Sequence, residues 1–66
     1  MTTKPEEICL MVQFSDQDAW DLAQFLKRVG YSDFRSNAVD DEEAYRMLTA
    51  AEKVSRNLAA MGYGPR

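Results

Sequence analysis

Seven acids fall in two short stretches, Asp16, Asp18 and Asp21, then Asp40-Asp41-Glu42-Glu43, and by type and spacing these are the residues that could do chemistry. Carboxylates gathered in this way can ligate a hard cation, act as general acid and base, or present negative charge to a basic surface. The first two uses lack the groups that normally accompany them. The chain has no histidine, the commonest general acid or base. Its one cysteine, Cys9, can build neither a zinc site nor an internal disulfide. No basic residue adjoins Cys9 to lower its pKa, and its apolar neighbours read as those of a buried, inert thiol. Gly62 and Gly64 punctuate the tail and make no phosphate loop. The expectation is a protein that is not an enzyme and that uses no metal and no cofactor.

Two readings of the acids remain. Aspartate and glutamate are favoured at helix starts, where they cap free N–H groups and meet the positive end of the dipole. Four consecutive acids exceed what one cap needs, and their mutual repulsion suits a solvated face or a basic partner. On that second reading all seven acids form a partner-binding surface that imitates a row of phosphates. Residues 1–21 carry a net −4, residues 40–43 another −4, residues 22–39 +2 and residues 44–66 +3. The net charge of −3 argues against direct nucleic-acid binding, whose affinity comes mainly from neutralising phosphates. Trp20 lies on the rim of its helix's apolar arc. There it either covers its own core or anchors an interface.

The elements that must position these residues follow from periodicity. Residues 6–14 alternate, with Ile8, Leu10, Val12 and Phe14 on one face and Cys9, Met11 and Gln13 on the other, which predicts a β-strand behind Pro5. Ser15 is an N-cap for a helix over residues 16–29, ended by Gly30. Ala19, Leu22, Ala23, Phe25, Leu26 and Val29 share one arc of it. Residues 30–40 are a connection with at most a short helical turn around Ser32–Arg35. A long helix over residues 41–61 follows, capped by Asp40 with Glu43 at the box position, and residues 62–66 are a tail. Its exposed face carries the i,i+4 pairs Glu42–Arg46 and Glu52–Arg56.

The fold class predicted is therefore α+β, one N-terminal strand and two helices in a single domain of 66 residues. Its core is expected to hold Ile8, Leu10, Val12, Phe14, Leu22, Phe25, Leu26, Val29, Leu48, Ala51, Val54 and Leu58. A single strand leaves its backbone groups unpaired, and chains this short are marginal alone. A homodimer through the strand is the simplest geometry that answers both. The longest apolar run, Ile8–Val12, is far too short to cross a membrane, and no leader is visible; the expected location is the cytoplasm.

The strand–helix–helix order, with Gly30-Tyr31-Ser32 after the first helix, resembles the ribbon-helix-helix repressors, which implies a dimeric, strand-paired regulator or an antitoxin-like protein. The run Asp18 to Gly30 followed by Asn37-Ala38-Val39-Asp40-Asp41 resembles short acidic proteins of bacterial phages and mobile elements, anti-CRISPR inhibitors among them. That second resemblance implies an inhibitor whose partner is a protein, a CRISPR surveillance complex, blocked by acidic mimicry or by occlusion.

Overall fold

The computed structural model describes residues 7–65. Pro5 and Glu6, at the start of the expected strand, and Arg66, at the end of the tail, lie outside the described residues. The chain folds as three helices: α1 (Asp16–Arg28), α2 (Tyr31–Ser36) and α3 (Asp41–Ala60).

Each helix starts where a side chain can take up its free N–H groups. The Ser15 hydroxyl accepts from the Asp18 N–H at 3.0 Å, so α1 begins at the next residue. For α3, Asp40 accepts from the Glu43 N–H at 2.8 Å, and the Glu43 carboxylate reaches back to the Val39 N–H at 2.8 Å. Helix α3 ends in a Schellman motif, with the Tyr63 N–H bonded to the Leu58 carbonyl at 2.9 Å and the Gly62 N–H to that of Ala59 at 3.0 Å. That turn requires φ +99° at Gly62, which a residue with a Cβ adopts only at a cost. Gly30 plays a different part from the helix stop expected of it. Its backbone is extended, and it is the N-cap of α2, donating its N–H to Asp33 at 2.9 Å.

The expected strand does not form. Residues 7–15 are neither helix nor strand, and among the described residues the chain is all-α, not α+β. A strand persists only where a neighbour takes its backbone bonds, and the connection that might have supplied one is instead α2. The alternating face then has nothing to pack against: Ile8 is 78% exposed, Leu10 80% and Val12 62%, with Phe14 and Cys9 also exposed. The strand–helix–helix order that carried the ribbon-helix-helix resemblance is likewise absent from the described residues.

The core is smaller than the sequence implies. Ala19, Ala23, Ala44 and Leu58 are buried, and of these only Leu58 was expected. Leu22, Leu26, Val29, Leu48 and Ala51 are half-buried, while Phe25 and Val54 are exposed. The reason is the layout. Helices α1 and α2 each pack on α3, and among the described residues they do not pack on each other. An arc wide enough for two neighbours therefore meets one. The radius of gyration, 13.8 Å, exceeds the roughly 11 Å of a compact chain of this length.

Candidate functional site

The two acidic groups lie at opposite ends of one helix. Tyr63, just past the end of α3, donates its hydroxyl to Asp16 at the start of α1, so the first group sits beside the C-terminal end of α3. The second group begins α3. The 20 residues between those ends span about 30 Å at 1.5 Å each.

Most of these acids already serve the fold. Asp16 accepts the Tyr63 hydroxyl, and Asp21 accepts from the Gln17 amide at 2.9 Å. Asp40 and Glu43 hold the capping box. Asp41 accepts from the Tyr31 hydroxyl and from Arg35 Nε, each at 2.8 Å, while Arg35 Nη1 donates to the Ala38 carbonyl at 3.1 Å. Arg35 thereby ties α2, the loop and the start of α3 together, a role that its sequence position does not announce. Among the described residues, the side chains of Asp18 and Glu42 hold no hydrogen bond. Of the expected helix pairs, Glu52–Arg56 closes to 3.8 Å, and Glu42–Arg46 is not among the ion pairs of the described residues. No group of three or more Cys, Asp or Glu side chains among the described residues is arranged to hold a metal ion.

Trp20 is 38% exposed and meets the Tyr63 ring edge-on, with centroids 5.1 Å apart. It thus covers the returning tail instead of standing free. The Tyr31 and Tyr45 rings also pair, tilted by 35° with centroids 5.0 Å apart, across the junction of α2 and α3.

Two other features of the surface stand out. One is the arm, residues 7–14, whose apolar side chains are exposed, from 45% at Phe14 to 97% at Met11. The other is a groove of about 260 Å³ between the three helices, lined by Leu26, Val29, Phe34, Leu48, Ala51, Glu52 and Ser55. The arm's alternation is visible in the sequence, where it predicts a buried strand face that the structure leaves exposed. The groove's signal was the extra width of the apolar arc on α1, where Phe25 and Val29 extend beyond what one packed neighbour covers.

A family of unknown function, DUF7706, matches residues 1–66. The chain belongs to the DUF7706 family. No curated protein and no solved structure matches it. No described helix is long and apolar enough to cross a membrane.

In this DUF7706 chain the two tyrosine–aspartate contacts link charge to stability. The Asp41 carboxylate, accepting the Tyr31 hydroxyl, raises the Tyr31 pKa, and Asp16 raises that of Tyr63 in the same way. Asp41 is lowered, first by the Tyr31 bond and then by Arg35. A raised tyrosine contributes stability that is complete below its unfolded pKa and lost as pH climbs through the folded one. The lowered Asp41 contributes stability present above the ordinary carboxylate pKa and lost as pH falls through its depressed value. Thermal melts should therefore fall off above about pH 10 and in strong acid. Tyr63→Phe is expected to flatten the alkaline fall and leave the acid one unchanged. An alkaline fall identical to that of wild type would show that the Tyr63–Asp16 bond contributes nothing.

Proposed function

We propose that this chain is a non-enzymatic binding protein that occludes a surface of a protein target, and that it holds the target through its apolar arm, Glu7–Phe14. The exposure of that arm carries the reading. Monomeric proteins rarely display large apolar side chains in series, and such series mark contact sites. Ile8, Leu10, Met11 and Val12 are between 62% and 97% exposed in one continuous run. An inhibitor of the anti-CRISPR type is one protein of this class, with a CRISPR surveillance complex as its partner.

The placement of the acids supports occlusion better than nucleic-acid mimicry. A phosphate row is continuous, whereas these groups are separated by about the length of α3, roughly 30 Å. Asp16, Asp40, Asp41 and Glu43 are also occupied by internal bonds. Nucleic acid itself is not the proposed partner, because the chain carries a net −3.

The test compares two double variants with wild type for binding to a purified CRISPR surveillance complex and to partners captured from a lysate of the source cells. Leu10→Asp with Val12→Asp should abolish capture, since both side chains are exposed and the helices do not depend on them. Asp18→Asn with Glu42→Gln should bind like wild type and with the same salt dependence. The opposite pattern, with the arm dispensable and the acids required, would replace occlusion by mimicry.

A further inference from the structure

The arm is open in its main chain as well as in its side chains. Among the described residues, no backbone–backbone hydrogen bond involves residues 7–14. Residues 8–14 contain no glycine, no proline and no charge, and Ile8, Val12 and Phe14 are of types that strands favour. Where strand pairing has to be prevented, exposed segments of this kind carry a charge, a proline or a cover. This one carries none of them. A helix fits the segment poorly. At about 100° per residue, Ile8 and Val12 would face away from Leu10 and Phe14. Ser15, extended at ψ 164°, also stops α1 from growing back into the arm.

We propose that the arm is recognised as an added β-strand, laid along the exposed edge of a sheet in the target protein. The inference rests on the arm being the contact, as in the function proposed above, and adds the kind of surface that receives it. Main-chain bonds to the edge supply affinity, and Ile8, Leu10, Val12 and Phe14 continue the apolar face of the receiving sheet. Residues 8–14 reach about 23 Å at 3.3 Å each, enough for a strand of ordinary length. A second copy's arm is the poorer receiver. Two paired arms make an isolated two-stranded ribbon, which is marginal in water and leaves the apolar face uncovered. A sheet already folded supplies both the open edge and the cover. Ser15 caps α1 directly after the arm, so docking brings the helices over the surface beside the edge, and occlusion follows.

The full chain, 66 residues, can be made by chemical synthesis with one backbone N-methyl group at a time, at Cys9, Leu10, Met11, Val12 or Gln13. Each N-methyl group removes one donor and leaves every side chain in place. Successive N–H groups of a strand point to opposite edges, so only alternate positions face the receiving sheet. Binding is measured to a purified CRISPR surveillance complex and to the protein that wild type captures from a lysate of the source cells. The expected result is a loss of at least about tenfold at Leu10 and Val12 with little change at Cys9, Met11 and Gln13, or the reverse. All five should keep the wild-type helical circular dichroism, since the arm makes no backbone bond to the helices. Amide exchange over residues 9–13 should be as fast as in an unfolded peptide in the free chain, and slow at one alternate set in the complex. Capture lost in Leu10→Asp with Val12→Asp, but with no alternation in the N-methyl series, would keep the arm as the contact and overturn the added strand. An arm variant that binds like wild type, or a wild type that captures nothing, would overturn both. Slow arm exchange in the free monomer would show that the chain covers its own arm, and overturn the proposal. So would wild-type self-association that the N-methyl groups abolish in the same alternation, which would make a second copy the receiver.

Discussion

Leu58→Ala is expected to remove about 2–4 kcal/mol of stability, the cost of emptying a fully buried leucine site. Among the described residues Leu58 is the one large side chain in the core, 7% exposed, and it meets Ala19 and Ala23 with Leu22, Leu26 and Tyr63 packed around. Its buried neighbours on α1 are alanines, so only the half-buried Leu22 and Leu26 have side chains that can shift toward the space it leaves. A domain of 66 residues has a stability of roughly 3–10 kcal/mol, and the loss would be a large share of it. Val54→Ala, one turn earlier on the same helix, should cost about 1 kcal/mol or less, because Val54 is 43% exposed. Chemical denaturation of both variants at one protein concentration checks the contrast. Equal losses would mean that Val54 is covered as well as Leu58.

That contrast marks the limit of what periodicity reveals. Val54 and Leu58 stand four apart on one stripe, and nothing in the spacing says that one is buried and the other not. The spacing reports which residues share a face; whether a neighbour arrives to cover that face depends on the whole layout. The helix starts were legible because their causes are local: Ser15 and Asp40 bond to N–H groups three residues away. The arm was misread for the converse reason. Alternation at Ile8, Leu10, Val12 and Phe14 describes a chain that could bury one face of a strand, and a strand exists only if another segment pairs with it. Helix α2 is six residues long, too short for a period to show, and its anchor on Asp41 is a tyrosine ten positions away. The acids of the candidate site were found by type, yet their engagement with Tyr31, Arg35 and Tyr63 is tertiary. It redirects the functional reading from charge to apolar contact.

The alanines of α1 were expected on its apolar arc but not as the centre of the core, and they give the second large effect. Ala19 and Ala23 are 4% and 2% exposed, one turn apart, and meet Leu58 across the α1–α3 seam. Small residues there let the two helices approach closely, so Ala23→Leu must push α1 outward or force Leu58 off its rotamer. Overpacking of this kind costs about 1–3 kcal/mol. The loss cannot be charged to helix propensity, because leucine is nearly as good a helix former as alanine. Ala50→Leu, at an exposed position of α3, is the control and should be close to neutral. Displacement of α1 should also separate Trp20 from Tyr63, whose rings meet at 5.1 Å. Trp20 is the chain's only tryptophan, so its emission reports on that contact alone. The expected result is a lowered denaturation midpoint together with altered Trp20 fluorescence in the folded baseline. A variant with the wild-type midpoint and unchanged emission would show that something other than these alanines sets the approach of α1 to α3.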